Sequence, residues 1–146
     1  MRAIAGALMM LTASTGMAAP PEYFPAPSVA GSPAPFSSAV RVGDVLYLSG
    51  QIGRGADGKL PDTFDGQAKQ VMENVGTTLK AHGLGWGDVF KCTVFIADMK
   101  NWPAFNAVYV PYFSAGKLPA RSAVGANGLA LGAQIELECL AFAGKK

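Results

Sequence analysis

From residue 40 onward the chain contains several β-rich runs but only two segments with helical periodicity, and that imbalance limits what it can fold into. Residues 40–52 read as strand, turn, strand, with Gly43-Asp44 as the turn and Val45-Leu46-Tyr47-Leu48-Ser49 as the second run. Residues 53–58 form a loop with an Asp57-Gly58 turn signal. Phe64, Ala68, Val71, Val75 and Leu79 then recur at helical spacing, capped by Asp62 or Thr63 and stopped by Gly83. Residues 89–97 are a second strong strand. A second helix is predicted to be capped by Asn101, with Phe105, Val108 and Tyr112 on one face and Pro103 in its first turn. Pro111 should kink or end it near Val110. Residues 121–127 and 134–143 read as closing strands around residues 128–132. The order predicts an α+β fold, with two helices packed on one face of a mixed sheet. No remaining element can cover the other face, so oligomerisation through that face is expected.

Residues 1–18 differ from the rest. Met1 and Arg2 form a minimal basic start, and an apolar run too short to span a membrane follows. Gly16-Met17-Ala18 offers small residues for cleavage. This predicts a signal peptide cut after Ala18, and hence a periplasmic or secreted protein that leaves the membrane once cut. The alternative is an apolar N-terminal helix that stays attached. Residues 20–35 hold six of the ten prolines and cannot form a helix or a central strand. Residues 19–34 are therefore read as an extended arm, either a linker or a strap across a neighbouring subunit, and residues 35–146 as one domain.

Half the residues are hydrophobic and the formal charge is +2, with basic and acidic residues interspersed. No Lys/Arg run marks a nucleic-acid surface. The one histidine, His82, lies beside the Gly83 helix stop, where a structural reading suits the helix dipole. One His and two distant cysteines match no zinc spacing, and no catalytic triad gathers around His82. Gly53 to Gly58 spells G-x-G-x-x-G, but no helix opens at its third glycine. Cys92 and Cys139 fall in strands. They either pair in an oxidising compartment or stay as buried thiols, which is the more common fate.

What remains is Arg121, at the start of a strand of small uncharged residues, and Glu136 with Glu138, which share one face of an apolar strand. They are either a solvated face with a surface arginine or, if other subunits close that face, a buried site.

Several motifs in order resemble one known family over roughly residues 34–144. They are Pro35-Phe36-Ser37-Ser38, Leu48-Ser49-Gly50-Gln51-Ile52, a helix with Gln67 and Asn74, Asn106 with Tyr109, Pro119-Ala120-Arg121-Ser122, and Ile135-Glu136-Leu137-Glu138. The chain resembles the RidA/YjgF reactive-intermediate deaminases. The resemblance implies a chorismate-mutase-like fold and a homotrimer with sites at subunit interfaces. It implies hydrolysis of 2-imino acids, formed from enamines, to 2-keto acids and ammonia, with no metal or cofactor. By the same resemblance Arg121 binds the substrate carboxylate and Glu138 handles water, while Phe36, Ser49, Gly50 and Asn106 line the pocket. Two positions depart from the family's usual pattern: Ala123, often Cys, and Phe36, often Tyr. Other readings are a trimer that holds small carboxylates without turnover, and an RNA-cleaving or translation-inhibiting protein.

Overall fold

The computed structural model describes residues 19–28 and 31–145. The expected leader lies outside the described residues. The elements in chain order are β1 (Glu22–Pro25), β2 (Ser37–Val42), β3 (Val45–Leu48), β4 (Gln51–Ile52), α1 (Phe64–Ala81), β5 (Val89–Ile96), α2 (Trp102–Tyr109), β6 (Ala120–Gly125) and β7 (Ile135–Phe142). All strands join one sheet of order β1-β2-β3-β7-β5-β6, and the short β4 also pairs with β7. The sheet is mixed, since β5 and β6 are parallel and the other pairs antiparallel. The predicted α+β class holds.

The two closing strands do not pair with each other. β7 inserts between β3 and β5, and β6 lies at the far edge beyond β5. Parallel strands need a crossover. The β5–α2–β6 connection is one, and it carries α2 to the start of β6. β4 and β5 both run antiparallel to β7, so α1 is a crossover too, with β7 threaded between its strands.

The N-terminal arm is more than a linker. Tyr23 and Phe24 pair with Val40 and Ala39, making β1 an edge strand. An edge tolerates the prolines that a central strand would not. Phe24 packs edge-on against the His82 ring, with centroids 4.3 Å apart, which supports the structural reading of that histidine.

Local chemistry explains α1. The Thr63 hydroxyl accepts from the Gly66 N–H at 3.1 Å, and Gly83 follows the helix with φ near 70°. Ala68, Val71, Met72, Val75 and Leu79 are fully buried against the sheet, while Phe64 sits at the margin. Gly53 backs directly onto α1, where a β-carbon would strike the Gln67 backbone. Gln67 is itself buried; its amide donates to the Pro61 carbonyl and its oxygen accepts from the Gln134 N–H. Asn74 donates to the carbonyls of Ile52 and Arg54. These two motif residues fasten the loop between β4 and α1. The G-x-G-x-x-G stretch belongs to that loop, and the helix opens only at Phe64.

The start of α2 differs from expectation. Asn101 makes no side-chain cap, because its backbone (φ −81°, ψ 0°) already lies in the helical region. Asp98 caps instead, accepting from the Lys100 N–H at the opening of a short 3-10 turn. Pro111 ends the helix as predicted, and residues Val110–Tyr112 continue as one 3-10 turn. Phe105 and Tyr109 are the fully buried residues of this stretch, while Val108 and Tyr112 are partly buried and pack against the core, Tyr112 beside Trp86.

Along β5 the core side carries Cys92, Val94 and Ile96, and along β7 it carries Ile135, Leu137, Cys139 and Ala141. Cys92 and Cys139 are register partners and form a disulfide, which the sequence left open. Both are buried on the helix side. The alternate residues, including Lys91, Thr93, Glu136 and Glu138, lie on the face that no helix among the described residues covers. Among the described residues no helix is long and apolar enough to cross a membrane.

Candidate functional site

Arg121 is the register partner of Cys92, so it points to the helix side of the sheet, beneath α2. Its guanidinium carbon lies 4.4 Å from the Trp102 ring centroid, 4.6 Å from that of Tyr109 and 6.0 Å from that of Phe105. Its Nη2 donates to Asn106 Oδ1 at 2.8 Å. Trp102, Phe105, Asn106 and Tyr109 are spaced i, i+3, i+4 and i+7, so one face of α2 is committed to this arginine. Each guanidinium–ring contact contributes about 0.5–2 kcal/mol, depending on desolvation. No carboxylate pairs with Arg121 among the described residues, and its Nη1 is buried with no acceptor. Buried donors of this kind are rare, because an unmet charged donor is costly. The Tyr109 hydroxyl is also buried and unpartnered. Burial pushes it up to about 12, against the pull of Arg121, so it stays protonated at neutral pH.

The second cluster lies on the uncovered face. A cavity of about 440 Å³ is lined by Tyr47, Ser49, Gly50, Lys91, Thr93 and Glu138, among others. Ser49 is held by its hydroxyl, which donates to the Ser37 carbonyl at 2.6 Å, and by its N–H, which donates to the Ser38 carbonyl. Phe36, one residue before Ser37, is largely exposed and does not line the cavity. Gly50 approaches the Glu136 carboxylate closely: a β-carbon there would overlap the carboxylate, which is the movable end of that side chain. Burial, and next the charge of Glu138, raise Glu136 above the usual carboxylate range. Glu138 is the more exposed of the two. Lys91 donates to the Ser122 hydroxyl at 2.7 Å, joining this face to β6. Among the described residues no group of three His, Cys, Asp or Glu side chains is placed to hold a metal ion.

The expected residues thus fall into two groups. The fold brings Arg121 to Asn106, and it brings Ser49, Gly50 and Glu138 together around a cavity that Phe36 does not line. It does not bring Arg121 to Glu138 within one chain. Arg121 pairs in register with Cys92 and Glu138 with Thr93, and consecutive strand positions point to opposite faces. Sequence reading missed Trp102 and the part played by Tyr109. Their helical spacing from Asn106 was a usable signal, but it gains meaning only once β6 lies under α2.

Residues 27–143 match the family described as Endoribonuclease L-PSP. The chain is 40% identical over 112 residues to the 2-iminobutanoate/2-iminopropanoate deaminase of Mus musculus, covering 75% of this chain and 82% of that protein. RidA from an Antarctic Psychrobacter species matches the fold with a TM-score of 0.72 at 35% identity, covering 80% of this chain and 93% of the other. E. coli TdcF, crystallised with bound serine, matches with a TM-score of 0.72 at 32% identity, covering 78% and 92%. With most of its length matched in sequence and in fold, the chain belongs to the RidA/YjgF family, in which relatives about 40% identical are named imine deaminases.

Proposed function

We propose that this protein hydrolyses 2-imino acids to 2-keto acids and ammonia, as an exported homotrimer with its sites between subunits. The observation that carries the reading is the unneutralised Arg121 guanidinium, held by Asn106, with a buried donor that lacks an acceptor. A small carboxylate supplies both the missing charge and the missing acceptor, and charge-assisted bonds of this kind contribute about 1.5–3 kcal/mol each. The protonated imine carbon of the anchored substrate is already electrophilic. Water adds to it, giving a carbinolamine; the nitrogen takes a proton and leaves as ammonia, and the C=O forms. One positioned carboxyl group that accepts and returns a proton suffices, without a strong nucleophile.

Glu136 and Glu138 are the carboxyl groups available. The resemblance pointed to Glu138, but burial and the contact with Gly50 favour Glu136 as the proton holder, because its raised value brings it nearer neutral pH. Arg121 and the glutamates lie on opposite faces of one sheet, so a complete site needs the Arg121 edge of one subunit against the Ser49–Gly50 face of another. The uncovered face supports such an assembly. The leader-like residues 1–18 and the buried disulfide support export, since disulfides persist in oxidising compartments. Intact mass of envelope-fraction protein checks cleavage after Ala18, and a full-length cytosolic product would overturn it.

The test is ammonia release from freshly generated 2-imino acid by the processed protein, alongside sedimentation. Arg121→Ala should keep the fold and lose about a hundredfold or more in turnover. Arg121→Lys should not rescue it, because an ammonium lacks the planar fork. Full activity in Arg121→Ala, or an active monomer, would refute the reading. Tight 2-keto acid binding without ammonia release would mean a carboxylate-binding protein instead.

A further inference from the structure

We propose that Trp102 is a positioning residue for Arg121: with Tyr109 it clamps the guanidinium between two rings, so that a carboxylate can meet only its edge. The inference rests on the reading of Arg121 as carboxylate anchor and adds what aims that anchor. Residues 102 and 109 are seven apart, which separates them by about 10 Å along an α-helix. The guanidinium carbon is 4.4 Å from the Trp102 ring centroid and 4.6 Å from that of Tyr109, so one cation touches rings that leave the helix about two turns apart. Asn106, between them on the same face of α2, fixes rotation in the guanidinium plane by accepting from Nη2.

The two walls of the clamp differ. Tyr109 and Phe105 are buried in the core, whereas Trp102 is half-buried at the outer side. Tyr109 is held by its packing against Phe105 and Phe113, with ring centroids 5.3 and 4.7 Å away. Trp102 packs against Phe105 with ring centroids 6.1 Å apart, its one aromatic neighbour among the described residues. Trp102 is thus the wall a ligand meets. An arginine stem is flexible, and an ordered fork binds a carboxylate better because less rotamer freedom is lost. A clamp serving stability alone would give no reason for Nη1 to lack an acceptor inside the protein.

The test uses the processed full-length protein, 2-imino acid turnover, and calorimetric binding of 2-oxobutanoate as an unreactive keto-acid probe. Trp102→Leu removes the π face. The expected result is an about tenfold rise in KM and in the Kd of the probe, with kcat within about twofold. Trp102→Phe restores the face and should return both to within about threefold of wild type. A purely structural role would instead lower the melting temperature and kcat and leave the Kd unmoved, and that result overturns the proposal. Fluorescence gives a second measurement that does not depend on Trp102→Leu folding. In a Trp86→Phe background Trp102 is the sole tryptophan, and saturating 2-oxobutanoate should change its emission. No change would also overturn the clamp. Loss of probe binding in Arg121→Ala with normal binding in Trp102→Leu removes the clamp alone. Normal binding in Arg121→Ala removes the carboxylate anchor and the clamp together.

Discussion

Reducing the Cys92–Cys139 disulfide is the cleanest perturbation of this fold, because the same side chains remain and only the cross-link is lost. The two cysteines are 47 residues apart, and the loop they close contains α2 and β6. Loop-closure entropy for a ring of that length amounts to about 4 kcal/mol at 25 °C. A domain of this size unfolds with an entropy that makes 4 kcal/mol a shift on the order of 15 °C. The assay is a thermal melt of oxidised protein against protein reduced in urea and refolded with reductant present. The oxidised form should melt higher by that order. A Cys92→Ala/Cys139→Ala variant should melt with the reduced protein or slightly below it, since both side chains are buried and leave small voids. Coincident melts would refute the cross-link's contribution. Two free thiols, titrated in denatured protein from the envelope fraction, would refute both the cross-link and the compartment argued from it.

Glu136→Gln tests the burial of that carboxylate. A raised folded value means stability is fully present at low pH and is lost as the pH rises through it. The permanently neutral variant should therefore melt above wild type at pH 7, with a gain that fades by about pH 4; a drop at pH 7 would contradict the assignment. Gly50→Ala should lower turnover by moving the Glu136 carboxylate while changing the melting temperature little, because the clash falls on the end of a flexible side chain; unchanged ammonia release would show that their contact has no role.

The reach of the sequence is clearest where local rules act alone. The Thr63 cap, the Gly83 stop and the α1 stripe depend on residues a few positions apart, and each stood where periodicity placed it. Asn101 failed as a cap because the chain enters α2 through a 3-10 turn, a choice made by Asp98 three residues earlier. Strand pairing was not legible. The sequence marked residues 121–127 and 134–143 as closing strands but not their partners, and only the crossover of α2 sends one to the edge and the other to the centre. Three facts hang on that arrangement: Cys92 faces Cys139, Arg121 lies under α2, and Glu138 faces away from it. Motif spacing named Arg121, Asn106, Ser49, Gly50 and the glutamates, but spacing along a chain does not say which face of a sheet a residue takes.

That division between faces makes subunit sharing testable without a structure of the assembly. If one site combines Arg121 of one subunit with Glu136 of the next, Arg121→Ala and Glu136→Gln remove different halves of it. Each variant alone has no intact site. Subunits of the two, unfolded together and reassembled in equal amounts, regenerate a site wherever a Glu136→Gln subunit donates its intact Arg121 to an Arg121→Ala subunit with its intact Glu136. Random mixing makes that arrangement at about a quarter of the interfaces, because each of the two neighbours must be the right variant half the time. The mixture should then recover about a quarter of wild-type ammonia release per site, while a simple blend of the two purified variants without unfolding should recover none. A site built within one chain behaves differently, since every subunit in the mixture still lacks one of the two groups. Mixed assemblies as inactive as their parents would therefore refute the shared site, provided sedimentation shows that they assembled.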